Sequence, residues 1–170
     1  MIYRYVSSPV GTLLLARDEH GLAIVSFEKG GRPSEPLNEW ERDDSAFTEE
    51  ICQFERYFAA KLREFDLALS PVGTKFQKDI WTLLRAIPYA ETRSYADIAR
   101  QIGKPSACRA VGRANGANPL PIVVPCHRVI GSDGSFTGFG GGLGVKRYLL
   151  ELEGGVSSQR SLLPATSNPL

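Results

Sequence analysis

The spacing of apolar residues in this 170-residue chain changes character once, and that change limits the folds open to it. Up to Phe27 the apolar residues fall in three short runs, Ile2–Ser7, Thr12–Arg17 and Gly21–Phe27. Ser8-Pro9-Val10-Gly11 and Asp18-Glu19-His20 separate them, and such Pro, Gly and Asp punctuation marks tight turns between antiparallel strands. Lys29–Asp43 is polar and reads as a loop. From Ser45 the period becomes helical: Phe47, Ile51, Phe54 and Phe58 recur on one face, and Glu49 and Glu50 fall in the first turn, where the helix dipole favours acids. Phe65–Leu69 reads as a short strand. Pro71-Val72-Gly73 then marks a boundary. The expected unit over 1–72 is an α/β N-terminal domain, a small antiparallel sheet plus a helix.

The region from 73 to 153 reads as a mostly α C-terminal domain. Thr74–Ala86 places Phe76, Ile80, Leu83 and Leu84 on one face, and Pro88 follows its end. Ser94–Ile102 opens with Ser94 and Asp97, a Ser-x-x-Asp form of the capping box. Ser106–Asn115 follows after a turn at Gly103, and two short helices joined this way suggest a helix-turn-helix. Ile122–Val124 is a β-branched run between prolines. A glycine-rich loop, Gly131–Gly144, leads to a last helix, Val145–Glu153. Residues 154–170, rich in Ser, Pro, Gly and Asn, read as a disordered tail.

Charge divides along the same boundary. Residues 1–74 hold eight Lys/Arg against thirteen Asp/Glu, a net −5, whereas 75–150 hold eleven against four, a net +7. A basic segment in a near-neutral chain can be the footprint of a polyanion, although a solvated surface gives the same count. No apolar run approaches the roughly 20 residues of a membrane span, and the N-terminus lacks the pattern of a secretory signal, so no membrane association and a cytoplasmic location are expected. The three cysteines, Cys52, Cys108 and Cys126, are an odd, widely spaced set. Neither a disulfide framework nor a metal knuckle fits them, and His20 and His127 are too few and too far apart for a zinc site.

Chemistry concentrates at Pro125-Cys126-His127-Arg128-Val129-Ile130. A thiolate is a strong nucleophile and an imidazole can take its proton. In an extended strand the two side chains point to opposite faces, so His127 acts directly only if the chain turns, and otherwise through a bridging water. A buried cysteine beside a surface histidine has the same spacing. Pro125 either presents Cys126 rigidly or simply ends a strand. In Ser106–Asn115 the small residues Ala107, Cys108, Ala110, Gly112 and Ala114 accompany Arg109 and Arg113, which share a face at i and i+4. That pattern suits a helix entering a narrow groove with an arginine to insert, and equally suits close helix packing. The run Gly138, Gly140, Gly141, Gly142, Gly144 matches neither the Walker nor the dinucleotide pattern, and leaves close backbone approach to a flat base or a flexible loop.

The cysteine motif, together with Asn118-Pro119-Leu120-Pro121-Ile122, Ile87-Pro88-Tyr89, Thr92-Arg93-Ser94-Tyr95, Arg109-Ala110-Val111-Gly112 and Gly141-Gly142-Leu143, resembles the O6-alkylguanine-DNA alkyltransferase family over about Gly73–Glu153. The resemblance implies direct DNA repair: irreversible, stoichiometric transfer of the alkyl group of O6-alkylguanine to Cys126 after base flipping, with O4-alkylthymine a further candidate substrate. Cys126 would be the acceptor, His127 its base through a water, Glu153 the group polarising His127, and Asn118 the brace of the turn. Tyr95 would press on the target phosphate and protonate the leaving guanine. Arg109 would fill the gap in the stack, with Ser94, Ala110 and Arg113 on the same DNA-binding surface. Val129, Phe139, Gly140, Gly141 and Pro121 would form the base pocket. The implied partner is double-stranded DNA bound by a monomer, with no cofactor and no metal. Phe139 and Gly140 depart from the family's frequent tyrosine and serine, which leaves more of the proton donation to Tyr95. A lesion-binding module without chemistry, and a cysteine hydrolase or redox sensor with Cys108 as resolving thiol, remain alternatives at this point.

Overall fold

A computed structural model describes residues 1–31 and 34–154. Three strands, β1 (Ile2–Ser8), β2 (Gly11–Asp18) and β3 (Gly21–Phe27), form an antiparallel meander close to the expected one. Each turn is tied by its own side chain. Ser8 Oγ donates to the Gly11 carbonyl at 2.6 Å, and Asp18 Oδ1 accepts from the amides of His20 and Gly21 at 2.8 and 3.1 Å. The loop expected over Lys29–Asp43 contains a fourth strand, β4 (Glu41–Arg42), which pairs parallel with β1, so the sheet is mixed, in the order β3-β2-β1-β4.

α1 (Thr48–Phe58) buries Glu50, Gln53, Phe54 and Tyr57. The expected stripe is thus rotated: Tyr57 is fully buried, while Phe58 only packs at the margin. Phe65–Leu69 is not a strand. It meets the sheet at one bridge, Leu22 to Leu69, through Leu22 N–H to Ala68 O and Ser70 N–H to Leu22 O, each 2.8 Å. The pairing stops at this isolated bridge. Gly21 is required at that contact, since a Cβ there would lie 2.2 Å from the Ala68 carbonyl oxygen.

The second half is mostly helical: α2 (Lys75–Arg85), α3 (Tyr95–Gln101), α4 (Cys108–Gly116) and α5 (Gly142–Leu152). Thr74 and Ser94 cap α2 and α3, each with both arms of a capping box. The expected Ser106–Asn115 helix divides into a 3-10 turn, Pro105–Ala107, and α4. α2 packs on α4, where Trp81 Nε1 donates to the Ala114 carbonyl at 2.9 Å. A two-residue parallel ladder joins β5 (Arg93–Ser94) to β6 (Val129–Ile130) and so brings the start of α3 beside the cysteine segment. α5 begins at Gly142, three residues before the expected start. The expected tail beyond Gly154 lies outside the described residues.

One buried cluster runs through both halves. At β3 the Val25 amide donates to the Pro119 carbonyl at 2.8 Å, and Phe27 packs on Phe139 with ring centroids 5.4 Å apart. The sheet therefore buttresses two segments flanking Cys126 in sequence. Among the described residues, no helix is long and apolar enough to cross a membrane.

Candidate active site

Cys126 begins a 3-10 turn, Cys126–Arg128, not a strand. The preceding Ile122–Val124 run is also folded rather than extended. Val124 N–H donates to Leu120 O at 2.8 Å, and Ile122 sits at φ 77° while buried. A β-branched residue in the left-handed region stores on the order of 1–3 kcal/mol. Asn118 holds the segment: its Nδ2 donates to Val124 O at 2.8 Å and its Oδ1 accepts from Leu120 N–H at 3.0 Å. Burial pushes the Cys126 thiol up to about 11, while the Asn118 amide and the Lys146 charge oppose that shift.

The turn carries His127 inward to full burial. Its Nε2 lies 2.8 Å from Glu153 Oε1, and its Nδ1 is buried with no protein partner among the described residues. Glu153 also accepts from Tyr57 O–H at 2.7 Å, from Arg128 Nε and Nη2 at 2.8 and 2.9 Å, and from the Ala90 amide at 3.3 Å. Although burial pushes the Glu153 carboxyl up, hydrogen bonds from His127 and Arg128 outweigh it, and the group sits at about 2. It is therefore an ionised, acceptor-only group, so Nε2 carries the histidine proton and Nδ1 is left with a lone pair. Burial in turn holds the imidazole below its ordinary value, which keeps it neutral.

Three groups here were not singled out by the sequence reading. Arg128 forks onto Glu153, and its Nη1 donates to Ile87 O at 2.6 Å. Tyr57 reaches the same carboxylate from α1. Lys146, fully buried, donates to Val129 O at 2.6 Å and Thr137 O at 3.1 Å, and so ties β6 to the glycine-rich loop. Only Lys146 had a local signal: with Leu149, Leu150 and Glu153 it completes an i, i+3, i+4, i+7 stripe that is buried along α5.

An open cleft of about 620 Å³ is lined by Tyr95, Cys108, Arg109, Gly112, Gly116, Thr137, Gly138, Phe139 and Gly140. Phe139 joins the cleft to the buried histidine, since its ring lies edge-on to His127 at 6.4 Å between centroids. Tyr95 O accepts from Thr137 Oγ1 at 2.9 Å, so its own proton is uncommitted. Of the expected surface residues, Arg109 lines the cleft, whereas Ala110 and Arg113 lie on α4 outside its lining. Ser94 is occupied as the α3 cap. Of the expected pocket residues, Phe139 and Gly140 line the cleft. Pro121 is buried in the strained segment, and Gly141 is packed away, where a Cβ would lie 2.9 Å from the Phe27 ring. Among the described residues no cluster of His, Cys, Asp and Glu is arranged to hold a metal.

Comparison with known proteins covers the whole of this architecture. A family model described as 6-O-methylguanine DNA methyltransferase, ribonuclease-like domain, matches residues 1–71, and one described as its DNA binding domain matches residues 75–155. The chain is 51% identical to the methylated-DNA–protein-cysteine methyltransferase of Methanosarcina acetivorans over 91% of its own length and 99% of that protein. It is 51% identical to the Mycobacterium tuberculosis protein of the same name, over 89% of this chain and 91% of that one. The crystal structure of the Mycobacterium tuberculosis protein in complex with DNA superposes with a TM-score of 0.84 at 48% identity, covering 90% of this chain and 92% of that one. A buried cysteine turn, a histidine–glutamate pair behind it and matches over both halves lead to one conclusion: the chain belongs to the methylated-DNA–protein-cysteine methyltransferase family.

Proposed function

We propose that this protein repairs O6-alkylguanine in double-stranded DNA by moving the alkyl group to Cys126, once per molecule. The observation that carries the reading is the buried pair behind the cysteine: a neutral His127 whose Nε2 is fixed by an ionised Glu153 and whose Nδ1 faces no protein donor. A thiol held near 11 is almost wholly protonated at neutral pH, so it needs a base at the moment of attack. Nδ1 is that base, through a bridging water.

The sulfur then displaces O6 in line at the alkyl carbon. The S–C bond forms as the C–O6 bond breaks, the thiol proton passes toward His127, and the departing guanine takes a proton from Tyr95. Tyr95 accepts its hydrogen bond from Thr137, which leaves the phenol proton free to be passed on. Asn118 braces the turn that aims Cys126. The product thioether has no carbonyl for water to attack, so Cys126 is not regenerated.

The base has to leave the stack to reach this site, at a cost of roughly a few kcal/mol. Arg109, exposed on α4 at the cleft, fills the vacated space, and α3–turn–α4 acts as a helix-turn-helix with Ser94, Ala110 and Arg113 on its DNA-facing side. Phe139, Gly140 and the Val129 carbonyl read the base edge, and Gly141 and Pro121 support that pocket from behind. O4-alkylthymine is a second candidate substrate. The division falls near residue 72, with a scaffold on one side and the acceptor and DNA-binding part on the other. Nucleophile, base and cleft all come from one chain, which supports action as a monomer. A nucleophilic thiol supports a reducing compartment, the cytoplasm. The test is peptide mapping after reaction with O6-methylguanine duplex. Methyl on the Cys126 peptide is expected; methyl on Cys52 or Cys108 instead, or on none, overturns the reading.

A further inference from the structure

Glu153 Oε1 receives three donors: Tyr57 O–H at 2.7 Å, His127 Nε2 at 2.8 Å and Arg128 Nη2 at 2.9 Å. Two of them are neighbours of the cysteine, but Tyr57 comes from α1, on the far side of the 72 boundary. Its side chain is fully buried, tilted against Phe65 and edge-on to Tyr89, at 5.3 and 6.4 Å between centroids. A buried phenol whose only polar atom meets the carboxylate that orients the base is more than packing. We propose that Tyr57 is a positioning residue of the alkyl-transfer site: its O–H and the Arg128 fork share the charge of Glu153, hold Oε1 against His127 Nε2, and so keep Nδ1 the free base. The sheet-and-helix half is then part of the proton relay.

The physical argument is one of division. A carboxylate oxygen that accepts several hydrogen bonds gives each donor less. Burial and Glu153 keep Tyr57 protonated, so it is always a donor. Remove its O–H and the charge of Oε1 concentrates on His127, which favours imidazolium, the form that accepts no proton. The charged groups facing His127 are Lys146 from α5, Glu153 at the C-terminal cap of α5 and Arg128 from its own turn, with Tyr57 of α1 acting through Glu153. Only Tyr57 is changed by the test, and Tyr57→Phe keeps the ring that packs.

The inference rests on Cys126 as acceptor and His127 as base, so the experiment has two arms. The first is 15N NMR of histidine-labelled full-length protein across pH. The chain has two histidines, and exposed His20 serves as the internal reference. The second is the rate of benzyl transfer from free O6-benzylguanine across the same pH range. Tyr57→Phe is expected to raise the His127 imidazolium midpoint and the acid limb of the rate by about one pH unit, the scale of one charge-assisted hydrogen bond, with His20 unmoved. Tyr57 replaced by 3-fluorotyrosine, a stronger donor, moves both the other way and serves if the phenylalanine variant does not fold. A His127 midpoint that stays in place in both variants overturns the proposal, even if Tyr57→Phe lowers the melting temperature. If wild-type Cys126 transfers nothing, the acceptor reading fails, and the NMR arm still decides the role of Tyr57.

Discussion

Behind His127, five donors converge on one carboxylate; across Phe139, Arg109 and Gly140 stand exposed on an open cleft. The first side is buried, with Tyr57, His127, Lys146 and Glu153 all closed off from solvent. The cleft is floored by glycines and a half-exposed tyrosine. The difference separates two tasks. Reaction geometry has to exist before substrate arrives, because charge placed in a low-dielectric interior needs no rearrangement during the step. On the proposed reading recognition is completed by the DNA, so the cleft residues stay solvated and uncommitted until a base enters. Substitutions on the two sides should therefore fail in different ways, stability and chemistry together on one side, chemistry or DNA dependence alone on the other.

The largest effect is expected from Glu153→Gln. It leaves buried Arg128 without its anion, a loss of about 3–5 kcal/mol in urea unfolding, and removes the orienter of His127, with alkyl transfer down on the order of 10²-fold. It also changes the acid response. The Glu153 carboxyl sits at about 2 when folded against an ordinary 4.5, so its stabilisation is complete above pH 4.5 and is lost as pH falls from there toward 2. Wild type should lose ~3 kcal/mol over that window from this group, and the glutamine variant should lack that slope. An unchanged slope would show that the buried cluster is not held by this charge.

Tyr95→Phe, on the cleft side, should slow transfer by about 10²-fold, the scale of one general acid, with unfolding unchanged within about 0.5 kcal/mol. A matching loss of stability would place Tyr95 with the buried relay. Arg109→Ala should be smaller again: roughly tenfold weaker repair of duplex and little change with free O6-benzylguanine, because only the duplex needs its base held out. Equal losses on both substrates contradict that role. The smallest effect separates two neighbouring glycines. Gly140→Ser adds atoms where nothing lies within 4 Å and should leave the melting temperature alone, whereas Gly141→Ala forces a Cβ against Phe27 and should lower it.

The sequence was most legible where structure is local. The turns at Ser8–Gly11 and Asp18–Gly21 and the cap at Ser94 each signal themselves within four residues, and the strands and helix beside them follow. Phe65–Leu69 misled because β-propensity reports a side chain suited to a pleated surface, and this segment meets the sheet at one residue only. β4 is two residues whose pairing depends on β1, 39 positions away in register. That Asn118, Cys126, His127 and Glu153 would come together was legible through a family resemblance, not through spacing, which allowed an inert buried cysteine equally well. Tyr57 and Glu153 are 96 residues apart, and no local pattern announces such a contact. Lys146 was legible and passed over: a lysine on an apolar stripe signals a buried charge with a partner.

The central claim is that the buried relay serves one irreversible transfer to Cys126. Intact-mass analysis of the full chain, mixed with a molar excess of O6-methylguanine duplex, tests it most directly. The account predicts that every active molecule gains the mass of one CH2, that repaired guanine equals protein consumed, and that Cys126→Ala gains nothing and repairs nothing. Repaired guanine in excess of protein, or repair without a mass gain at Cys126, would contradict it.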